Sequence, residues 1–473
     1  VVFCRGLPVA SYSEMHQPVS PAVAMCRAMA AHPRSPAFPS APASHVEDRK
    51  LAKELMSLVY GSWKGSSSKG GYSPKPLPPG EAAVVGGQSR YLWTDAFGVL
   101  NMCTEAARCA EAGDVGGRND SLCAAFSLVQ TTTSVLANPS SHDVRMSPSP
   151  LPPFTGQHGM TRYKGLRIGK RLASAVSDPG MVLDGMYFHH VFLWVFALTR
   201  LGAEFCSGSF LSENDKTRGA KILREAVSVV EDMHCLFVER SNTPGNTLIG
   251  VRWKINVDGT PIKGLPPTRL STDVVSGAVA WTCLCVAVER NEIKMDFSHF
   301  SLLERYAEEM RVMAVQLHPG ISLDPLGWGL QMFELQWLPS TPLSMCHPLA
   351  PGGFVESETT KREETFASHD VWFQFAETLR GSTHAPGGFS QTPDLAFRTY
   401  GAWLGARISG KRAIAEDAAR AARDAARNEL DAARGKNTDK EKPDGCVAVN
   451  RVMLAVALDP LAFYRRVNEP GVV

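Results

Sequence analysis

The sequence has almost no excess of charge of either sign. Its 473 residues carry 49 Lys and Arg against 47 Asp and Glu, a formal net charge of +2. Proteins that attract nucleic acid or an anionic membrane over long range normally carry a marked basic excess. We therefore expect no nucleic acid partner.

A long uninterrupted apolar run is also missing. The most apolar stretch, residues 186–198, contains His189 and His190. It is shorter than the roughly 20 residues that an α-helix needs to cross a bilayer. The sequence therefore predicts no membrane span.

Paired cysteine motifs are absent too. The 11 cysteines show neither Cys-x-x-Cys pairs nor zinc-ligand spacing, which favours buried thiols in a reducing compartment. Residues 1–45 are rich in Ala, Pro and Ser and poor in acids, as in a disordered tail or an organellar transit segment. We expect an intracellular protein, either cytoplasmic or located in a plastid or mitochondrion.

Common catalytic and cofactor motifs do not occur. Residues 165–171 resemble a phosphate-binding loop, but the segment is one residue short and Arg171 stands where Ser or Thr is needed. There is no Gly-x-Ser-x-Gly elbow and no His-Glu-x-x-His helix. We accordingly predict no metal and no cofactor.

Helical periodicity is what the sequence does contain, and it recurs in pairs. The paired segments are 93–112 with 122–137, 183–201 with 221–239, 270–288 with 300–317, 326–338 with 363–379, and 396–408 with 413–433. A last segment, 447–465, is expected to close the chain against a helix near Leu51. These pairs predict one all-α domain over residues 46–473, a ring of about six helical hairpins that forms an (α/α)6 toroid.

Two segments depart from this pattern. Residues 251–257 alternate apolar and polar side chains, which predicts a short β-ribbon over one mouth of the ring, with Arg252 and Lys254 reaching solvent or ligand. Residues 411–444 are Ala-, Arg- and Asp-rich, then Lys- and Asp-rich. We expect an exposed helix and a disordered insertion there.

Several motifs resemble those of uncharacterised six-hairpin glycosidase-like proteins. They lie at residues 90–99, 165–170, 184–189, 194–198, 253–254, 324–327, 336–337 and 450–455. The resemblance implies the same (α/α)6 toroid and a carbohydrate ligand. Relatives of this fold include glycoside hydrolases, unsaturated uronyl hydrolases and sugar epimerases, so it does not select a reaction.

Glycoside hydrolysis requires two carboxyl groups that face one cavity. Asp95 and Asp184 are our candidate acid/base pair, because the resembling motifs run through them. Asp370 is a further catalytic candidate and Asp273 a substrate-binding one, since both begin predicted inner helices. The alternative role for each is a helix N-cap.

Sugar epimerisation would instead use histidines as acid and base. His189, His190 and His369 are the candidates, with a hydrogen-bonded core histidine as the alternative role. Neighbouring helical residues diverge by about 100°. We therefore expect at most one of His189 and His190 to face the cavity.

Aromatic and basic side chains complete the predicted site. Trp93, Tyr187, Trp253 and Trp328 could pack against the apolar face of a sugar, or simply fill the core. Arg252 and Lys254 could pair with the carboxylate of an acidic sugar, or could lie on a solvated strand. A toroid without catalytic activity that binds a glycan or a protein is a third interpretation.

Overall fold

The computed structural model describes residues 44–64, 90–137, 166–169, 184–206, 212–241, 247–265, 271–317, 320–337, 374, 377–378, 395–409, 411–435 and 447–464. Most of these residues are helical, which confirms the all-α prediction. The predicted N-terminal tail lies almost entirely outside them.

The helices follow the predicted order along the chain. They are α1 (Ser44–Tyr60), α2 (Leu92–Glu111), α3 (Val115–Leu136), α4 (Phe188–Cys206), α5 (Glu213–Phe237), α6 (Ser271–Arg290), α7 (Phe297–Leu317), α8 (Pro325–Glu334), α9 (Ala396–Ile408), α10 (Arg412–Ala433) and α11 (Val447–Leu458). Short 3₁₀ helices follow α8 at Leu335–Trp337 and α11 at Leu461–Phe463.

Helix starts and burial patterns agree with the local sequence. Ser212 caps α5 through Asp215, and Asp324 caps α8 just before a proline in the first turn. Both are preferred N-terminal arrangements. Helix α4 is apolar on nearly every side and almost wholly buried, whereas α5 buries only one face. The two helices therefore belong to an inner and an outer layer.

Six helices form a closed cycle of contacts. In this cycle α2 contacts α4, α4 contacts α6, α6 contacts α8, α8 contacts α9, α9 contacts α11, and α11 returns to α2. The others pack outside: α3 on α2, α5 on α4, α7 on α6, and α10 and α1 around α9 and α11. This confirms the predicted helix pairs, except that the partner predicted for α8 lies outside the described residues.

Helices α8 and α9 approach each other through glycines. A Cβ atom added to Gly329 would meet the backbone of Gly401, and Gly405 lies against Gly329 from the same side. A larger side chain at Gly329 would push the two helices apart.

The C-terminal segment fills the interior on one side of the cycle. The Phe463 ring lies 5.6 Å from Phe97, 6.1 Å from Phe196 and 5.4 Å from Phe333, on three different inner helices. The Ala462 amide donates to Thr104 in the C-terminal half of α2. The segment after α11 therefore fills the interior between α2, α4 and α8.

The strands are short and occur in two antiparallel pairs. β1 (Met186–Tyr187) pairs with β4 (Lys254–Ile255), and β2 (Val238–Arg240) pairs with β3 (Leu248–Val251). The predicted strand at 251–257 is thus divided between β3 and β4. The Phe188 amide donates to the Trp253 carbonyl at 3.0 Å, which attaches the segment between β3 and β4 to the start of α4.

Helix α10 corrects the expectation of an exposed helix at 411–433. Its alanine stripe is buried against α1, α9 and α11. Arg423 pairs with buried Asp48 at 3.1 Å, and Arg427 pairs with Glu47 at 2.5 Å. The helical part of the predicted insertion therefore belongs to the outer layer, and residues 436–446 lie outside the described residues.

One described helix is long and apolar enough to cross a membrane. It is Thr272–Arg290, and 72% of its window is buried inside the fold. Such burial is typical of a core helix in a water-soluble fold.

The cysteines in the described ranges are free thiols. Cys103, Cys109, Cys283 and Cys285 are buried, as predicted, whereas Cys235 is exposed.

Candidate functional site

An aromatic cluster lies where α2 and α4 begin. We use this name for Trp93, Tyr187, His189, His190 and Trp253. The Tyr187 ring stacks on Trp253 and on His189, with centroids 5.2 Å away in each case. Trp93 lies 5.2 Å from His189 and 5.3 Å from His190. Three of the four predicted sugar-facing aromatic residues are therefore together.

Both histidines contact the same two aromatic rings. Their own ring centroids are 4.5 Å apart, and each touches Trp93 and Tyr187. The expected divergence of neighbouring helical residues does not separate them, because these two rings are wide enough to contact both. His189 and Trp253 are half-buried, and the rest of the cluster is buried.

Two carboxyl groups lie on the neighbouring inner helices α6 and α8. Glu334, the last residue of α8, is fully buried, and Ser276 of α6 donates a hydrogen bond to its Oε1. Oε2 has no hydrogen-bond partner in the described part of the chain. Asp273 precedes Ser276 by three residues and so lies on the same face of α6. We call Asp273, Ser276 and Glu334 the carboxyl pair with its serine.

Both carboxyl groups hold their protons more tightly than usual. Burial raises the pKa of Asp273 to about 7. Burial also raises the pKa of Glu334 well above its ordinary range, and the negative charge of Asp273 raises it further, while the Ser276 hydrogen bond opposes the shift. Asp273 is only partly buried as a residue, although its carboxyl group is surrounded by protein atoms. Burial therefore favours the protonated form of both carboxyl groups.

Helices α4 and α6, which carry His189 and Asp273, pack on each other near their starts. Phe188 begins α4 and immediately precedes His189. Its ring lies against Gly277, the residue that follows Ser276, because a Cβ added to Gly277 would lie 2.9 Å from Phe188 Cζ. The first two turns of α4 and of α6 are therefore in contact.

Asp95 lies between the layers instead of at this site. Its carboxyl accepts hydrogen bonds from Tyr60 of α1 at 3.1 Å and Thr132 of α3 at 2.9 Å, and Arg90 Nε lies 3.4 Å away. Residues two apart on a helix point about 200° apart, so Asp95 faces outward when Trp93 faces the histidines. Burial raises the pKa of Asp95, and Arg90 and the two hydroxyls oppose that shift.

Asp184 holds the backbone that precedes α4. Its Oδ1 accepts from the Gly169 and Gly185 amides at 3.1 and 3.0 Å, and Arg167 donates to its Oδ2 at 3.2 Å. Asp95 and Asp184 thus have separate sets of partners, and neither caps a helix. The structure therefore does not bring the candidate acid/base pair of the sequence together.

The basic candidates are also engaged within the fold. Arg252 pairs with Glu239 at 2.6 Å. Lys254 is 1% exposed, with its Nζ 5.5 Å from the Tyr187 ring, so the expectation that it reaches solvent is wrong. The reason is that β4 pairs with β1 and turns Lys254 inward.

The remaining candidates lie elsewhere. Trp328 is 1% exposed and packs within α8 as a core residue. His369 and Asp370 lie outside the described residues. Within the described ranges, no three His, Cys, Asp or Glu side chains come together in a way that could hold a metal ion.

Glu334 was missed by the sequence reasoning. It sits in the run Leu330 to Trp337, where apolar residues dominate and no familiar motif marks the acid. The available signal was a single carboxyl on an otherwise apolar helix, because a buried acid without a basic partner is rare and is enriched in functional sites.

Comparisons with known proteins identify no relative of this chain. No protein-family model, no curated protein and no solved structure matches the chain. The function is therefore inferred from the geometry of the site, together with the resemblance of the sequence motifs.

Proposed function

We propose that this chain is an (α/α)6 toroid of the six-hairpin type and that it hydrolyses a glycosidic bond, with Glu334 and Asp273 as acid and base. The observation that carries this proposal is the buried carboxyl pair on α6 and α8, with α6 packed against α4, the helix that carries His189 and His190. The closed cycle of α2, α4, α6, α8, α9 and α11, with further helices outside, supports the toroid.

Glu334 has the properties of a general acid. A carboxyl group that stays protonated at neutral pH can donate its proton to the glycosidic oxygen as the bond to the anomeric carbon breaks. Glu334 is buried, has one serine hydroxyl beside it, and faces a second acid instead of a cation. These features favour the neutral form.

Asp273 is suited to the complementary role. Part of the residue is exposed, and its negative charge raises the pKa of Glu334, so Asp273 is the acid of the pair that ionises first. As the base, its carboxylate would accept a proton from a water molecule while the water oxygen attacks the anomeric carbon. Both protons and the leaving alcohol are then accounted for, and no further reactant is required.

The aromatic cluster supplies the binding surface. Trp253 and His189 are its partly exposed members, and their rings could pack against the C–H face of a sugar. The buried Trp93 Nε1 has no hydrogen-bond partner among the described residues.

The charges near the site favour an uncharged sugar. Arg252 is paired with Glu239, and Arg167 with Asp184. An acidic sugar would meet the two carboxyl groups of the pair, while these arginines are already neutralised. We therefore propose a neutral saccharide in preference to an acidic sugar.

A sugar epimerase is the second candidate. The observation in its favour is the pair of histidine rings 4.5 Å apart within the aromatic cluster. An epimerase would exchange a substrate C–H proton with solvent without cleaving a glycosidic bond, so incorporation of deuterium into a recovered sugar would identify it. Saccharide binding with neither reaction would favour the binding toroid.

The test is hydrolysis of a panel of neutral oligosaccharides and aryl glycosides by the full chain. We expect Glu334→Gln and Asp273→Asn each to reduce the rate by about 10²–10⁴-fold. Glu304→Gln is the matched control, because burial also raises the pKa of Glu304, which lies on the outer helix α7. Unchanged hydrolysis in both site variants, or an equal loss in Glu304→Gln, would refute the assignment.

A further inference from the structure

A chain of polar contacts connects three helices and a strand behind the site. Trp281 of α6 donates from Nε1 to Nδ1 of His234 on α5 at 3.2 Å. The other ring nitrogen of His234 lies 2.8 Å from Glu309 of α7, and Arg240 of β2 donates to the same carboxylate oxygen. His234 is only 1% exposed.

The partners of His234 determine its tautomer. An indole N–H can only donate, so Nδ1 of His234 must be unprotonated to accept from Trp281. The ring proton is then on Nε2, from which His234 donates to the Glu309 carboxylate. His234 is therefore neutral, and it connects Trp281 to Glu309 by accepting one hydrogen bond and donating another.

Trp281 connects this chain to the helix that carries Asp273. Residues 273, 277 and 281 lie on one stripe of α6, because they are four apart. The Trp281 ring also lies 6.0 Å from Phe188, the residue that precedes His189. The position of α6 relative to α4 thus depends on how Trp281 is held.

We propose that Trp281, His234 and Glu309 form a pH-sensitive latch that fixes α6 to the outer layer. Protonation of His234 at Nδ1 removes the acceptor of the Trp281 N–H, so the latch opens on that side. The Glu309 side stays bonded, because a doubly protonated imidazole still donates from Nε2. The latch does not depend on the reaction assigned to the site.

The charges around His234 decide when the latch opens. Glu309 and Arg305 face it from α7, together with the Tyr306 ring stacked on it at 4.0 Å, and Arg240 faces it from β2. The two arginines already offset Glu309, so a third cation is unfavourable. Burial lowers the pKa of His234, the hydrogen bond that His234 donates to Glu309 opposes that shift, and the arginines add to it. The latch stays closed at neutral pH and opens only in acid.

The test follows the His234 ring nitrogens and the Trp281 indole N–H by ¹⁵N NMR as the pH is lowered. We expect Nδ1 to be unprotonated at neutral pH, and the Trp281 signal to lose its hydrogen-bond shift in the same step in which Nδ1 gains a proton. His234→Gln should keep the Trp281 signal constant, because an amide accepts and donates without titrating. Trp281→Phe should raise the His234 pKa, because it removes the competing donor.

Three results would overturn the latch. One is a proton on Nδ1 at neutral pH. Another is a Trp281 signal that does not change when His234 titrates. The third is a His234 that stays neutral until the whole protein unfolds, because a latch that never opens in the native state is only a structural contact. Wild-type spectra decide all three, so the test does not depend on the folding of either variant.

Discussion

Asp95 and Glu334 are both buried acids on inner helices, yet their surroundings differ. Asp95 accepts hydrogen bonds from two hydroxyl groups and lies 3.4 Å from the Arg90 guanidinium. Glu334 has one serine hydroxyl and a neighbouring acid, and its Oε2 has no hydrogen-bond partner in the described part of the molecule. Burial alone therefore does not indicate function. The partners distinguish a carboxyl that supports the fold from one that is available for chemistry.

Removing the Asp95 carboxyl should give the largest loss of stability. Asp95→Ala leaves Arg90, which is 3% exposed, buried without its carboxylate. Breaking a buried pair in this way costs about 3–5 kcal/mol in unfolding free energy. Urea denaturation measures the loss, with Glu304→Ala on α7 as the control. A loss below about 1 kcal/mol would show that Asp95 does not support the fold.

Widening the contact between α8 and α9 should give the next largest loss of stability. In Gly329→Ala the new methyl group meets the backbone of Gly401, so α8 must shift at a cost of about 1–3 kcal/mol. Gly116→Ala is the matched control, because Gly116 is exposed near the start of α3 and has room for a Cβ. Equal stability of the two variants would contradict the close approach of α8 and α9.

The pH dependence of stability should change in Asp273→Asn. The pKa of Asp273 rises from 3.8 to about 7 on folding, so the folded protein keeps a proton that the unfolded chain releases. Because the folded state binds this extra proton, the unfolding free energy falls progressively as the pH rises from about 4 to about 7. Over that interval the unfolding free energy of the variant should increase by about 1–2 kcal/mol relative to that of the wild type. This figure allows for the partial exposure of Asp273. Parallel stability curves, obtained from chemical denaturation at each pH, would refute the raised pKa.

Glu334→Gln should have the smallest effect on stability. A neutral amide replaces a neutral acid of the same shape, so we expect a change within about 1 kcal/mol at neutral pH. The same variant should lose hydrolysis, as proposed above. A large loss of stability would instead place Glu334 with Asp95 as a structural acid.

The paired helices could be predicted from the sequence because burial has a period. Helix α4 has apolar residues on nearly every side, and α5 has them on one side only, so the two sequences specify an inner and an outer helix. Helix α10 shows the limit of this reasoning. Its charge-rich sequence suggested exposure, but alanines are small enough to pack closely, and arginines at its edges pair with acids of α1.

The site could be predicted only in part. Trp93, Tyr187 and Trp253 meet as expected, because helix starts and the β1–β4 pair converge on one side. Asp273 was a candidate from the sequence, but its pairing with Glu334 was not predicted, since periodicity reports whether a residue is buried but not which side chain it faces. Glu334 meets Ser276 across 58 positions of sequence, and no local pattern specifies that contact.

The most direct test of the account is the protonation state of Glu334, measured by ¹³C NMR of its carboxyl carbon in the wild type and in Asp273→Asn. We predict that Glu334 is protonated at neutral pH in the wild type. Its pKa should fall in Asp273→Asn, because the neighbouring negative charge is removed. An ionised Glu334 at neutral pH, or a pKa that is the same in both proteins, would contradict the pairing of these two acids.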